Sequence, residues 1–208
     1  TRGGAGVLGR FDGALFTYEL RERVRLNFAG GYPVYSTHDG FDSTREFEGV
    51  SIDIDDVATA WDLSAFYNQQ SAGGILDRQA IGTEARYFDD HRSLYALVDY
   101  DLSYSTLNNV YLVGNWRTPG QLTLNATLNR AHSPYLTTSN ALVGQPLTSI
   151  DELIALETEE QVRQLALDRT ARSDTWSLGL SRPVLQRLQV DVDVTSPSYS
   201  ETVASGGV

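Results

Sequence analysis

The sequence predicts an all-β fold: an antiparallel up-and-down transmembrane β-barrel of about ten strands, with a short helical hairpin inserted in one long loop. Three observations predict it. Apolar and polar residues alternate with period 2 along most of the chain, which marks extended strands with one apolar and one polar face. The alternating stretches run to about 9–12 residues, longer than ordinary strands and matched to a tilted crossing of a bilayer. Short and longer connections also take turns along the chain, the pattern of a barrel with tight turns at one end and loops at the other.

The elements follow in order. A weak alternation over 10–20 leads into the tight "LRER" turn, and then "RVRLNFAGGYPVY" sets Val24, Leu26, Phe28, Tyr32 and Val34 against Arg23, Arg25 and Asn27. The long "STHDGFDSTRE" loop comes next. "GVSIDIDD" sets Val50, Ile52 and Ile54 against Ser51, Asp53 and Asp55, and the short "DDVAT" follows. "WDLSAFYNQ" opposes Trp61, Leu63, Ala65 and Tyr67 to Asp62, Ser64 and Asn68, with Phe66 out of step. "QQSAGGILDR" reads as a longer connection, 79–88 as a weaker strand carrying Glu84 and Arg86, and "DDHR" as a turn. "SLYALVDYDLSYS" then alternates with only Tyr95 and Leu97 out of place, putting Asp99 and Asp101 on the polar side. After "STLNN" comes a weaker strand over 109–117, the "TPG" turn, and a clean one in "QLTLNATLNR". Residues 174–182 and "LQVDVDVTS", with Asp191 and Asp193, close the series around "RPVLQR".

Between the last two pairs lies an excursion over 131–173. Within it the period changes from 2 to 3.6, and Ser149 with Glu152 and Thr158 with Gln161 are capping-box signatures. They predict helices over 150–156 and 159–170, an insertion spanning 148–171 within a single domain, 1–208. The insertion is expected to cap the barrel, enter it, or bind a periplasmic or extracellular protein partner.

Composition narrows the functions. The formal net charge is -11, and all 16 basic residues are Arg, so no basic cluster offers itself to nucleic acid. Cys is absent, which removes disulfides, thiolate metal sites and Cys nucleophiles. No apolar run is long enough for a transmembrane helix. A soluble or surface β-sandwich that binds ligands or partners through its loops is the alternative, with the Asp-bearing face in water. Sorted loops speak against it, because Greek-key crossovers mix lengths at both ends. So do aromatics near strand ends, namely Tyr32, Tyr35, Trp61, Tyr87, Phe88, Tyr104, Trp116 and Trp176, placed as interface girdles are.

The stretches "RVRLNFAGGYPVYST", "SLYALVDYDLSYSTLNNVYLVGNW" and "WSLGLSRPVLQRLQVDVDVT" resemble Gram-negative outer-membrane β-barrels. The strand, Arg-Pro turn and strand of the last is similar to a periplasmic hairpin of such barrels. More narrowly, the chain resembles barrel domains that follow periplasmic helical repeats in large envelope proteins. The resemblance implies a place in the bacterial outer membrane, contact with its lipid, and passage of a small solute or an exported polymer such as a polysaccharide. It supplies no catalytic signature and no cofactor. The chain departs from the family in ending "SETVASGGV" rather than on an aromatic, and with short turns inside, both ends fall outside. The expectation is an internal part of a barrel of about twelve or more strands.

Candidate lumen-facing residues are Arg23, Arg25, Asp53, Asp55, Asp62, Glu84, Arg86, Asp99, Asp101, Asp191 and Asp193, either paired with one another or lining a cation-favouring channel. His38, His91 and His132 are expected in loops. His132-Ser133 lacks the nucleophile turn of a hydrolase, and Asp39, Asp42 and Glu46 in "THDGFDSTRE" lack EF-hand spacing, so neither an active site nor a metal site is expected.

Overall fold

In the computed structural model the described residues are 10–34, 44–133, 135–147, 149–185 and 188–200. They form one sheet of ten strands in chain order: β1 (Arg10–Arg21), β2 (Val24–Val34), β3 (Arg45–Ala58), β4 (Trp61–Ala72), β5 (Ile75–Phe88), β6 (Arg92–Asp101), β7 (Thr106–Arg117), β8 (Thr123–Ser133), β9 (Ala171–Leu185) and β10 (Leu188–Ser200). Every neighbouring pair is antiparallel and consecutive. No Greek-key crossover and no second sheet occur among the described residues. Among the described residues the sheet does not close, since β1 and β10 are not paired with each other. No helix of the described residues is long and apolar enough to cross a membrane.

We call the end of the sheet at Arg10 the first end, and the end at Arg21 the second. Connections at the second end are short throughout: Glu22-Arg23, Thr59-Ala60, 89–91 and 118–122. Those at the first end include 35–44 and the excursion 134–170, but also two tight turns. "QQSAGGILDR" is strand almost to its middle, turning on Gly73 and Gly74 alone, with φ +60 and +79. Two consecutive left-handed residues make the mirror-image turn whose twist matches paired strands, and glycine takes that conformation without strain. "STLNN" is likewise mostly strand, the turn being 102–105. The alternation of short and longer connections, with "STLNN" as its mild exception, therefore fails at 73–74 and 102–105, where polar strand residues resemble loop.

Prolines sit where pairing stops. Pro33 of β2 pairs only with β1, because the β2–β3 ladder ends at Gly31. Pro183 of β9 pairs only with β10, because the β8–β9 ladder ends at Ser181. A residue without N–H is tolerated there because one side carries no ladder.

The excursion holds a 3₁₀ turn (Thr138–Leu142) that the sequence did not announce, then α1 (Ile150–Ile154) and α2 (Glu159–Asp168). Ser149 accepts from the Glu152 N–H, and Thr158 with Gln161 forms a complete capping box. Both helices are shorter at their C-terminal ends than the 3.6-residue pattern suggested. Their apolar sides meet Leu136, Ala141 and Tyr104 in a cluster with Leu153, Val162 and Ala166, the largest buried apolar cluster among the described residues.

Candidate functional site

The inter-strand register places one set of residues on a common face. Arg25 stands opposite Asp53, Asp53 opposite Ser64, Ser64 opposite Glu84, and Asp62 opposite Arg86. Asp99 and Asp101 join through Gly82 and Ala80, and Asp191 and Asp193 through Ser181 and Gly179. Ten of the eleven candidates thus share the polar face. Arg23 lies in the β1–β2 turn instead, exposed, 4.0 Å from Asp56. Asp191 and Asp193 are exposed on the open edge strand β10.

The polar face is bonded to itself. Thr17 donates to Asn27 at 2.9 Å, Asn27 to Asp53 at 2.8 Å, and Ser64 to Asp53 at 2.7 Å, a network across four strands. Arg25 grips Asp55 with both terminal nitrogens, one at 3.0 Å. Arg86 pairs with Glu84 at 2.8 Å and lies 5.5 Å over the Tyr95 ring. Tyr95 in turn meets Tyr111 with centroids 6.0 Å apart. The residues that break the alternation belong to this face: Phe66 and Leu97 are buried on it. Gly82 is needed beneath Phe66, because a Cβ there would lie 2.2 Å from the ring.

Toward the first end the network closes around Arg78, a residue absent from the sequence candidates because it falls in the segment read as loop. Its guanidinium bonds Asp99 and lies 3.8 Å from Asp101, and both carboxylates are fully buried. Asp77 beside it accepts from the Ser139 N–H and hydroxyl, each at 3.0 Å, while Thr138 donates to the Leu76 carbonyl at 3.1 Å. Asn108 accepts from the Leu136 N–H at 3.2 Å. The excursion is therefore pinned to β5 and β7 at the end of the polar face. Tyr104 is not an interface aromatic: it sits in the β6–β7 turn, buried, with its hydroxyl 3.1 Å from Thr138. A buried hydroxyl needs such a partner, and the excursion supplies it.

The other face is apolar and, among the described residues, uncovered. Phe16, Phe28, Leu63, Ile81, Val98, Leu128, Leu178 and Val192, from eight strands, are each 38–62% exposed. Trp61 and Tyr87 pack at 5.1 Å near the second end, with Trp116 on the same face there, and Arg92 lies 5.5 Å over Tyr87. The adjoining turn is tied by Asp89, which accepts from the Tyr87 hydroxyl and from the His91 and Arg92 N–H groups. The Tyr87 bond, and then that from His91, hold the Asp89 carboxyl well below the usual carboxylate range. Trp176 and Tyr32 stand toward the first end. A groove of about 950 Å³ crosses this face over Gly114 and Ala126, walled by Trp116, Leu94, Leu124 and Leu178.

His132 is on β8 rather than in a loop, and its Nδ1 is buried without a hydrogen-bond partner. His38, Asp39, Asp42 and Tyr35 lie outside the described residues. Among the described residues no group of three or more His, Cys, Asp or Glu is placed to hold a metal. No known family model, curated protein or solved structure matches the chain.

Proposed function

We propose that this chain is the spanning part of an outer-membrane β-barrel whose apolar face meets lipid and whose polar, acidic face lines a pore or export conduit. One observation carries the reading: burial is inverted. On the sheet, Asn27, Ser51, Asn68, Arg78, Asp99, Asp101 and Asn109 are buried while large apolar side chains stand exposed on the opposite face. A soluble sheet hides its apolar face, and exposed apolar patches beyond a few hundred Å² mark an interaction surface. In lipid that face is already in its preferred medium. Strands of 10–15 residues are long enough for a tilted crossing of about 9–11 residues.

The proposed cargo is a small solute or a hydrophilic polymer, matched to a lining of Asn, Ser, Asp and Arg. Fractionation of the cells, followed by gel migration in detergent with and without boiling, tests the reading. Recovery in the outer membrane with faster migration unboiled is the expected outcome. A folded product that stays soluble without detergent would turn the reading over to a sheet whose apolar groove is covered by a protein partner.

A further inference from the structure

The apolar face ends differently on different strands. Read from the second end to the first, the β8–β9 ladder on this face runs Leu124 with Leu180, Ala126 with Leu178, Leu128 with Trp176, then Arg130 with Asp174, and His132 with Arg172. Three apolar rows are followed by an ionic one, with a tryptophan at the boundary. Arg130 Nε binds Asp174 Oδ1 at 2.6 Å and Arg172 binds Asp174 Oδ2 at 3.1 Å. Two guanidinium groups thus share one carboxylate, leaving one positive charge over, and their side chains remain 43% and 40% exposed. On β3 the same face and end carry Glu46 and Glu48 instead, so the positive site is local rather than a ring.

We propose that Arg130 and Arg172 hold the anionic headgroup of one membrane lipid, whose acyl chains lie along Leu128, Trp176 and Leu178. The inference rests on the spanning reading above and deepens it by naming a lipid class and a place. A planar guanidinium matches phosphate oxygens two at a time. Asp174 fixes both arginines at the level where the apolar rows stop, which is where headgroups begin. An uncompensated Arg near the headgroups enriches anionic lipid by about fivefold.

Trp176 is one of three tryptophans, so Trp61→Phe with Trp116→Phe leaves it as sole reporter. That chain is refolded into phosphatidylcholine vesicles containing either brominated phosphatidylglycerol or brominated phosphatidylcholine at equal mole fraction. The expected result is stronger quenching of Trp176 by the anionic lipid, corresponding to about fivefold local enrichment. Arg130→Gln with Arg172→Gln leaves the Asp174 carboxylate alone, so the preference for the anionic lipid is lost and reverses toward phosphatidylcholine, and Asp174→Asn, which leaves both guanidinium groups uncompensated, increases it. Insertion with equal quenching by both lipids overturns the headgroup site alone. A chain that Trp176 shows outside both kinds of vesicle, unquenched by either, overturns the spanning reading and this site together.

Discussion

Arg78 is the cation on which two buried carboxylates depend. Asp99 and Asp101 have no exposure, and burying charge is tolerated only with a partner. Arg78→Met is expected to cost about 3–5 kcal/mol, the range for removing one member of a buried pair. Denaturant unfolding in detergent checks it. Adding Asp99→Asn and Asp101→Asn to that variant should recover much of the loss; no recovery would show that the carboxylates are stabilised from elsewhere. Because both are sealed against Arg78, the Asn replacements are expected to leave ion selectivity in planar bilayers unchanged, and a shift would place them on the conducting path. The alternation of "SLYALVDYDLSYS" made the two aspartates legible in the sequence. Arg78 was not, because a polar, glycine-containing segment resembles a loop until its partner strand is known. Phe66 and Leu97 looked like errors of the pattern for the same reason: they face Gly82 and Tyr111 across the ladder, which one strand alone does not reveal.

At the scale of elements, the excursion behaves as a small unit docked onto the sheet. Its helix starts were legible because caps are local, side chain to backbone within three residues. Its 3₁₀ turn and its anchor on Tyr104 were not, since they depend on contacts 34 residues apart. Burial raises the Tyr104 hydroxyl well above the usual tyrosine range, and burial raises Tyr135 too. The folded form therefore favours the neutral phenol. Below about pH 10, where an unfolded tyrosine is still neutral, nothing is lost. Above it the detached form ionises first, so docking of the excursion weakens as pH rises. Limited proteolysis within 140–170 is expected to accelerate as the pH rises above about 10. Tyr104→Phe should lessen that acceleration while costing about 1 kcal/mol at neutral pH through loss of the Thr138 bond. Equal alkaline sensitivity in the variant would assign the effect to another group.

For the whole molecule, the order of strands was legible from hairpin spacing, but closure was not. Closure depends on curvature accumulated over ten strands, and no single segment encodes that. The open edges at β1 and β10 have a physical cost in lipid, where unpaired backbone N–H and C=O groups find no water. On the spanning reading, further strands cover them. The chain has no cysteine, so pairs introduced along β1 and β10 report cleanly. They are expected not to bridge within one chain, since a disulfide requires Cα atoms about 4.4–6.8 Å apart. Intrachain bridging in detergent-folded protein would mean that ten strands close by themselves.

The strictly sequential ladder carries a consequence for how such a sheet changes over generations. Each strand hydrogen-bonds only to its neighbours in the chain, so copying or deleting one hairpin disturbs two seams and leaves the rest in register. The width of the sheet becomes a number of repeats that duplication can adjust. The parts resistant to such editing are β5 to β9, because the excursion between β8 and β9 reaches back across 62 residues to fasten on Asp77. Growth by hairpins is easiest at the two ends of the series, leaving the fastened segment as the fixed point from which the sheet is extended.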